Sequence, residues 1–176
     1  SSDLPNEDID KLPIVLAGAI SLAKSSVLIM TPYFLPPREI VSALQLVSLK
    51  GVDVNIVLPV KNNFPFMTWA ANNFLWKLMQ SGVKVFFQPP PFVHSKLLLV
   101  DDYYANIGSA NIDPRSLRLN FELNIEIFDT RIADKISTHI RNCIARSMEF
   151  SLDYLDNRST PVKLRDALAW IFSPYL

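Results

Sequence analysis

The sequence has little of several features that would by themselves indicate a particular class of protein. It has one cysteine among 176 residues, Cys143, so no intrachain disulfide can form and a disulfide scaffold is excluded. Lysine plus arginine and aspartate plus glutamate both number 17, so the net positive charge that supports nucleic-acid coating is missing. No apolar run reaches the roughly 18–20 residues of a membrane span, and we expect no signal peptide.

What is present fits a folded domain of ordinary size. Hydrophobic residues make up 49% of the chain, which is enough for a sizeable core. We therefore expect residues 1–176 to form a single domain. The chain begins Ser1-Ser2 without a methionine, which favours excision from a longer protein.

Short apolar runs alternate with helical patterns in the first half of the chain. Strands are predicted at 27–30, 52–58 and 83–87, and helices at 10–24, 37–50 and 66–80. Asp10 is predicted to cap the first helix, with Ile14 on its core side. This alternation indicates an α/β fold with a mixed, mostly parallel central sheet flanked by helices.

The pattern changes after the proline run at 89–91. Segments 94–101, 103–109 and 120–129 are predicted to be strands joined by turns. A last helix is then predicted, because Ile132, Ile136, Ile140, Ile144 and Met148 recur every four residues.

Residues suited to phosphate chemistry are concentrated between 92 and 129. Because strand side chains alternate between faces, His94 and Lys96 are predicted to point the same way and Asp101 the other way. Ser109 and Asn111 share a face by the same rule. Lys96 then offers a point charge, Ser109 and Asn111 offer neutral donors, and His94 offers a nucleophile or an acid.

Neighbouring residues are given supporting roles. Gly108 has no side chain, so a ligand can approach the backbone there. A carboxylate at Glu122 is placed to hold one nitrogen of His94 and leave the other free to react. Asp101 is predicted to hold the fold by hydrogen bonding, and Ser109 either contacts ligand or bonds within its turn.

The spacing of these residues resembles the signature of the phospholipase D superfamily. It is written His94-x-Lys96-x4-Asp101-x6-Gly108-Ser109-x-Asn111. The resemblance is to bacterial cardiolipin synthases in particular, and it extends beyond the motif. It covers the stretches 88–96 and 108–122, together with Thr31-Pro32-Tyr33-Phe34, 51–54, 58–59 and 172–174.

The resemblance implies a phospholipase D-like half-domain and a chemistry for its site. His94 is implied to attack phosphorus and form a phosphohistidine, or to act as the acid partner. Lys96 and Asn111 are implied to bind phosphate oxygens, and Glu122 to pair with the histidine. No cofactor and no metal are expected, because lysine and histidine side chains supply the positive charge.

The chain departs from the superfamily pattern in having one motif where two complete a site. In such enzymes one histidine attacks while the other protonates the leaving alcohol. The other histidine here, His139, lies in the isoleucine-rich helix and is predicted to be a surface or packing residue. The chain resembles the second half of a cardiolipin synthase, so either a homodimer mate or a missing N-terminal half is expected to supply the partner motif.

The resemblance implies a phosphatidyltransferase that converts the anionic lipid phosphatidylglycerol to cardiolipin and glycerol. It also implies a bacterial inner membrane location, peripheral on the cytoplasmic face or anchored by a segment outside this chain. The alternatives are a phospholipase D, with water as acceptor, a nuclease, or a half-domain that is inactive alone. No nucleic-acid partner is expected, given the zero net charge.

Two surface features bear on the substrate. Arg115 and Arg118 either meet a second anionic headgroup or are simply solvated. The aromatic residues of 63–69, with Phe74 and Trp76, either touch the bilayer or fill the core.

Overall fold

The computed structural model describes residues 2–3, 11–61 and 65–171. Its strands are β1 (Ser2–Asp3), β2 (Ser26–Met30), β3 (Asp53–Pro59), β4 (Lys84–Gln88), β5 (Leu97–Val100), β6 (Tyr104–Gly108), β7 (Glu122–Phe128) and β8 (Met148–Phe150). Its helices are α1 (Lys11–Ser21), α2 (Arg38–Leu49), α3 (Pro65–Gln80), α4 (Pro114–Arg118), α5 (Thr130–Ile144), α6 (Leu152–Asp156) and α7 (Thr160–Ile171).

The described strands form one mixed sheet in the order β1-β7-β6-β5-β2-β3-β4-β8. The predicted mixed α/β architecture with flanking helices is therefore confirmed. Parallel pairing is confined to β2 with β3 and β3 with β4, and the other neighbours are antiparallel. The sheet is thus less parallel than predicted. The turn of residues 101–103 between β5 and β6 is too short for a parallel crossover, so these two strands must pair antiparallel.

Helices cover both faces of the sheet, which explains the continuous apolar strands. All five residues of β2 are buried, as expected for a strand between two helical layers. One face packs against α1, α2 and α3 through a core that includes Ile20, Leu44 and Leu78. The other face packs against α5 through Ile136, Ile140 and Cys143.

Local signals set several helix boundaries. Pro37 precedes α2 in an extended conformation. Gly51 follows the end of the helix with φ of 92°, a left-handed conformation that glycine adopts without strain. Asp129 caps α5 by accepting hydrogen bonds from the backbone amides of Arg131 and Ile132.

Some predictions about the helices were wrong. Helix α1 ends at Ser21 rather than 24, and Ile14 is 63% exposed instead of facing the core. Met148 does not extend α5 but begins β8 and is 67% exposed. The pairing of β8 with β4 overrides the four-residue repeat at that point. Asp10 lies outside the described residues.

A buried carboxylate fixes the C-terminal helix to α3. Asp166 is fully buried, and it accepts hydrogen bonds from Asn72 at 2.8 Å and from Arg165, and a close one from Arg158. Such pairing is required, since an unpaired charge in the interior is costly. The sequence patterns had indicated neither α6 nor α7.

Candidate active site

The candidate site lies at the sheet edge where β2 and β6 end and β5 and β7 begin. The loops after β2 and β6 are joined there, because the amide of Leu35 donates to the carbonyl of Ile112 at 2.7 Å and Phe34 bridges to Ile112. The strand ends thereby bring residues from four separate segments to one place.

His94 and Lys96 stand together just before β5. The predicted strand 94–101 is too long at its start, since Met30 and Ile107 pair with Leu97 and β5 begins only there. The two side chains nevertheless meet. The Lys96 Nζ lies 2.9 Å from Nδ1 and 3.2 Å from Nε2 of His94, and donates to the His94 carbonyl at 2.8 Å.

The electrostatics of this pair favour a neutral imidazole beside a cation. Burial, and then the charge of Lys96, lower the pKa of His94. Burial also lowers the pKa of Lys96, although the carboxylates of Glu122 and Asp113 oppose that shift. A neutral imidazole is the form that can attack an electrophile.

Glu122 is buried at the same edge but has partners other than His94. Its carboxylate accepts a close hydrogen bond from the Ser109 hydroxyl and one from the Asn120 amide at 3.2 Å. Among the described residues it makes no hydrogen bond to the imidazole, so the predicted Glu122–His94 pairing is absent from this arrangement. The register explains it: Gly108 pairs with Asn124, which brings Ser109 beside the start of β7.

Ser109 is tied into its own turn by further bonds. Its amide donates to the carbonyl of Leu123, and its hydroxyl accepts from the Leu123 amide, both at 3.0 Å. The structure therefore shows the local bonding that was one of the two predictions for Ser109. The turn is tight: a Cβ on Gly108 would overlap the side chain of Asn124 and lie 2.6 Å from the Leu123 carbonyl oxygen.

Asn111 is positioned by the beginning of α4. Its amide nitrogen donates to the Ser116 hydroxyl at 3.1 Å, and Asp113 caps the helix by accepting from the Ser116 amide at 2.7 Å. The Asn111 Oδ1 atom is buried without a hydrogen-bond partner. A half-turn of the carboxamide lets the Ser116 hydroxyl donate to Oδ1 and frees the amide as a donor, which suits a phosphate oxygen.

Four residues of the site were given no role by the sequence analysis, namely Tyr33, Asp113, Ser116 and Asn120. The Tyr33 ring lies edge-on to His94 with centroids 6.3 Å apart. Burial raises the pKa of Asp113, with the Glu122 charge adding to the effect. The Asp-Pro pair at 113–114 is a helix-start signature that could have identified Asp113 from the sequence.

Other predicted residues lie away from this cluster. Asp101 is at the opposite end of β5 and, at φ of 52°, accepts hydrogen bonds from the backbone amides of Lys24, Ser25 and Ser26. The structural hydrogen bonding predicted for Asp101 is therefore present. His139 is exposed on α5.

The two arginines differ in their contacts. Arg115 is exposed, and within the described ranges no hydrogen bond or ion pair engages its side chain. Arg118 forms an ion pair with Glu39 at 3.5 Å. As for metals, no group of three or more histidine, cysteine, aspartate or glutamate side chains among the described residues is arranged to hold an ion.

The aromatic residues of α3 are shared between packing and surface. Phe66, Trp69 and Phe74 are partly buried in a cluster between α3 and α7, and Trp76 donates from its indole to Asp156 at 2.9 Å. Residues 63 and 64 of the predicted membrane edge, and 172–174 of the family resemblance, lie outside the described residues.

The fold is that of phospholipase D proteins. A phospholipase D family member from Salmonella typhimurium, Nuc, superposes with a TM-score of 0.72 at 24% identity, covering 85% of this chain and 97% of that one. A phosphatidylserine synthase from Haemophilus influenzae superposes with a TM-score of 0.76 at 20% identity, over 94% of this chain and 45% of that one.

Sequence comparison narrows this class to a family. Residues 16–144 match the family model "Cardiolipin synthase, PLD-like domain", so the chain belongs to that family. A cardiolipin synthase of Staphylococcus aureus is 37% identical over all 176 residues, and the major cardiolipin synthase of Bacillus subtilis is 38% identical over 172. The chain spans 36% of the length of each and aligns with their C-terminal part.

No described helix combines the length and the apolar character needed to cross a membrane.

Proposed function

We propose that this chain is one of the two motif-bearing halves of a phosphatidyltransferase of the cardiolipin synthase type. The observation that carries the proposal is the placement of the His94 imidazole against the Lys96 ammonium, inside the region matched by the family model. A nucleophile beside a fixed cation is what attack on an anionic phosphodiester requires, because the cation offsets the negative charge of the group under attack.

The first step transfers the phosphatidyl group to His94. A ring nitrogen of His94 attacks the phosphorus of phosphatidylglycerol, an N–P bond forms, and the P–O bond to glycerol breaks. The departing oxygen takes its proton from a second histidine, which the partner half supplies. Lys96 and the freed amide of Asn111 hold the phosphate oxygens during this step.

The second step reverses the roles. A glycerol hydroxyl of another phosphatidylglycerol gives its proton to the second histidine, its oxygen forms the new P–O bond, and the N–P bond breaks. The product is cardiolipin. Which histidine attacks first depends on the partner half, so His94 is assigned either as nucleophile or as the acid–base partner. Glu122 acts in this scheme through Ser109 and through its charge on Lys96.

The same cluster can act on related substrates. Water as the acceptor gives phosphatidic acid, and a nucleic-acid phosphodiester makes the protein a nuclease. The zero net charge of the chain favours the lipid, since nucleic-acid affinity depends on a positive surface. A half-domain without its partner is expected to bind phosphate through Lys96 and Asn111 but not to turn over.

The test is mass spectrometry of lipid products after incubation with detergent-dispersed phosphatidylglycerol, with the chain alone and with a second motif-bearing half added. We expect cardiolipin from the active form, and its loss in His94→Asn. His139→Asn is the matched control, because it removes an exposed histidine of α5 and should keep full activity. Phosphatidic acid as the main product identifies a hydrolase, and equal activity of both variants overturns the assignment of His94.

A further inference from the structure

Helix α7 carries its large apolar side chains outward. Leu164, Leu168 and Ile171 are 61%, 49% and 59% exposed, whereas Asp166 and Ala169 are 0% and 2% exposed. A helix packed on a core ordinarily has the reverse arrangement. At roughly 100° per residue, the three exposed residues fall within about 60° of one another, opposite Asp166 and Ala169. We call Leu164, Leu168 and Ile171 the α7 outer stripe.

The exposed charged residues of α7, Lys163 and Arg165, are both basic and flank this stripe. By the same helical geometry Lys163 lies on one side of the stripe and Arg165 on the other, each roughly a quarter-turn of the circumference away. Both are exposed, and the carboxylate of the helix, Asp166, is buried. The face that α7 turns to solvent is therefore apolar along its middle and bordered on each side by a basic residue, of which Arg165 is ion-paired with Asp166 at 2.7 Å.

The stripe is held rigidly by the fold. Asp166 bonds to Asn72 of α3 at 2.8 Å, and the Arg165 guanidinium lies 4.3 Å from the centre of the Trp69 ring. A depression of about 400 Å³, lined by Phe66, Trp69, Pro161, Leu164, Arg165, Leu168 and Ala169, continues the apolar surface onto the start of α3. Since α3 begins after β3, at the carboxyl ends of the parallel strands, the surface reaches the same sheet edge as the candidate site.

We propose that the α7 outer stripe, with Phe66 and Pro161, docks this half onto an anionic lipid bilayer. Leucine and isoleucine enter the acyl boundary, while the Lys163 ammonium lies at the level of the headgroups. This is the arrangement of helices that lie in a membrane interface. Arg165 and Arg158 share the single carboxylate of Asp166, so this cluster keeps one net positive charge and, together with Lys163, matches an anionic surface. The inference rests on the proposed function in that its substrate resides in such a bilayer.

The experiment is co-sedimentation with phosphatidylglycerol–phosphatidylcholine vesicles. We expect the chain to bind, and Leu164→Glu/Leu168→Glu to weaken binding at least about tenfold, because two charges are forced into the apolar boundary. The matched control is Leu46→Glu/Leu49→Glu on α2, where the same residues are 47% and 74% exposed. The control should bind within about twofold of the unaltered chain. Equal loss in both variants, or no binding by the unaltered chain, overturns the proposal.

A second measurement does not depend on how the glutamates affect folding. Tryptophan is introduced by Leu164→Trp or, as control, by Leu49→Trp, and quenching by lipids with brominated acyl chains is measured. We expect the additional fluorescence at 164 to be quenched and that at 49 to be unaffected. Absence of quenching at 164, with association between protein copies lost in Leu164→Glu/Leu168→Glu, would assign the surface to a protein partner instead.

Turnover of detergent-dispersed phosphatidylglycerol separates this inference from the proposed function. The stripe variant should retain the activity of the unaltered chain, measured with a second motif-bearing half present, since no residue of the stripe is in the catalytic cluster. If turnover is absent even with that half present but stripe-dependent vesicle binding is found, the proposed reaction fails and the docking surface stands.

Discussion

At the scale of single residues, the chemistry depends on one lysine–histidine contact. Lys96 is a donor without an acceptor function, so its hydrogen bond to a ring nitrogen of His94 requires that nitrogen to be unprotonated. The same cation disfavours protonation through space, and burial acts in the same direction. Both causes favour the neutral imidazole, which is the form that the proposed reaction uses.

A pH titration tests this account. We expect the pKa of His94, followed by NMR of its ring proton, to lie below the ordinary value of about 6.5 and to rise in Lys96→Met. Lys84→Met, which removes a cation paired with Asp53 instead, should leave it unchanged. Because the unfolded chain takes up this proton first, the His94 contribution makes stability fall as pH decreases through and below about 6.5. A His94 pKa above the ordinary value of about 6.5 in the unaltered chain would contradict the account of a neutral imidazole beside Lys96.

At the scale of elements, the site is assembled where strands end. The register of β6 against β7 brings Ser109 beside Glu122, and the cap of α4 holds Ser116 against Asn111. At the far end of the sheet, Asp101 ties the turn after β5 to the connection between α1 and β2. Some motif residues therefore lie in the candidate site, whereas Asp101 stabilises the fold at the far end of the sheet.

Substitution of Asp101 should reduce stability without changing the chemistry. Burial raises the pKa of Asp101, but hydrogen bonds from Ser26, Ser25 and Lys24 outweigh it and the net pKa is lowered. Asp101→Ala removes those hydrogen bonds and leaves alanine at a positive φ with nothing to offset the strain. We therefore expect the free energy of unfolding, measured in urea at pH 7, to fall by about 2–4 kcal/mol. Asp101→Asn should lose less, since asparagine tolerates that conformation.

The control for this prediction is the adjacent, exposed Asp102→Ala, which should change stability by less than about 0.5 kcal/mol. Because the Asp101 pKa is lowered in the folded state, its contribution should be complete above about pH 4 and disappear as the pH falls further. Equal effects of the two alanine variants would show that the backbone hydrogen bonds contribute little.

At the scale of the whole molecule, the chain holds one histidine motif and spans 36% of the relatives it matches. A two-step transfer through histidine needs both an attacking group and an acid. We therefore propose that the catalytic unit comprises two motif-bearing halves, either two copies of this chain or this chain with a different half.

Mixing experiments distinguish these assemblies. If two copies form the site, an equal mixture of unaltered and His94→Asn chains should retain about a quarter of the activity, the share of pairs with two intact histidines. If the partner is a different half, the chain alone should be inactive and should gain activity on addition of that half. Activity that stays proportional to the unaltered fraction would show that one half suffices.

Much of the framework could be predicted because it depends on local patterns. The apolar runs that became β2, β3 and β4 are buried on both faces, and the α2 boundaries follow from Pro37 and Gly51. The motif spacing indicated the family, since His94, Lys96 and Asn111 are read directly from the chain. Ile14, by contrast, was predicted to face the core because it is apolar, but it lies on the exposed side of α1. Three-dimensional packing decides which side of that helix is covered.

The sequence by itself determined the types of the main elements from α1 to α5, the family and the set of candidate reactive groups, since these depend on residue type and spacing. Only the tertiary structure decided that Glu122 pairs with Ser109 rather than with His94, because that choice depends on strand register. It also decided that Leu164, Leu168 and Ile171 face outward, because the burial of Asp166 against α3 fixes the rotation of α7. Contacts between distant segments are absent from any local pattern, and they are what convert a list of residues into a site and a surface.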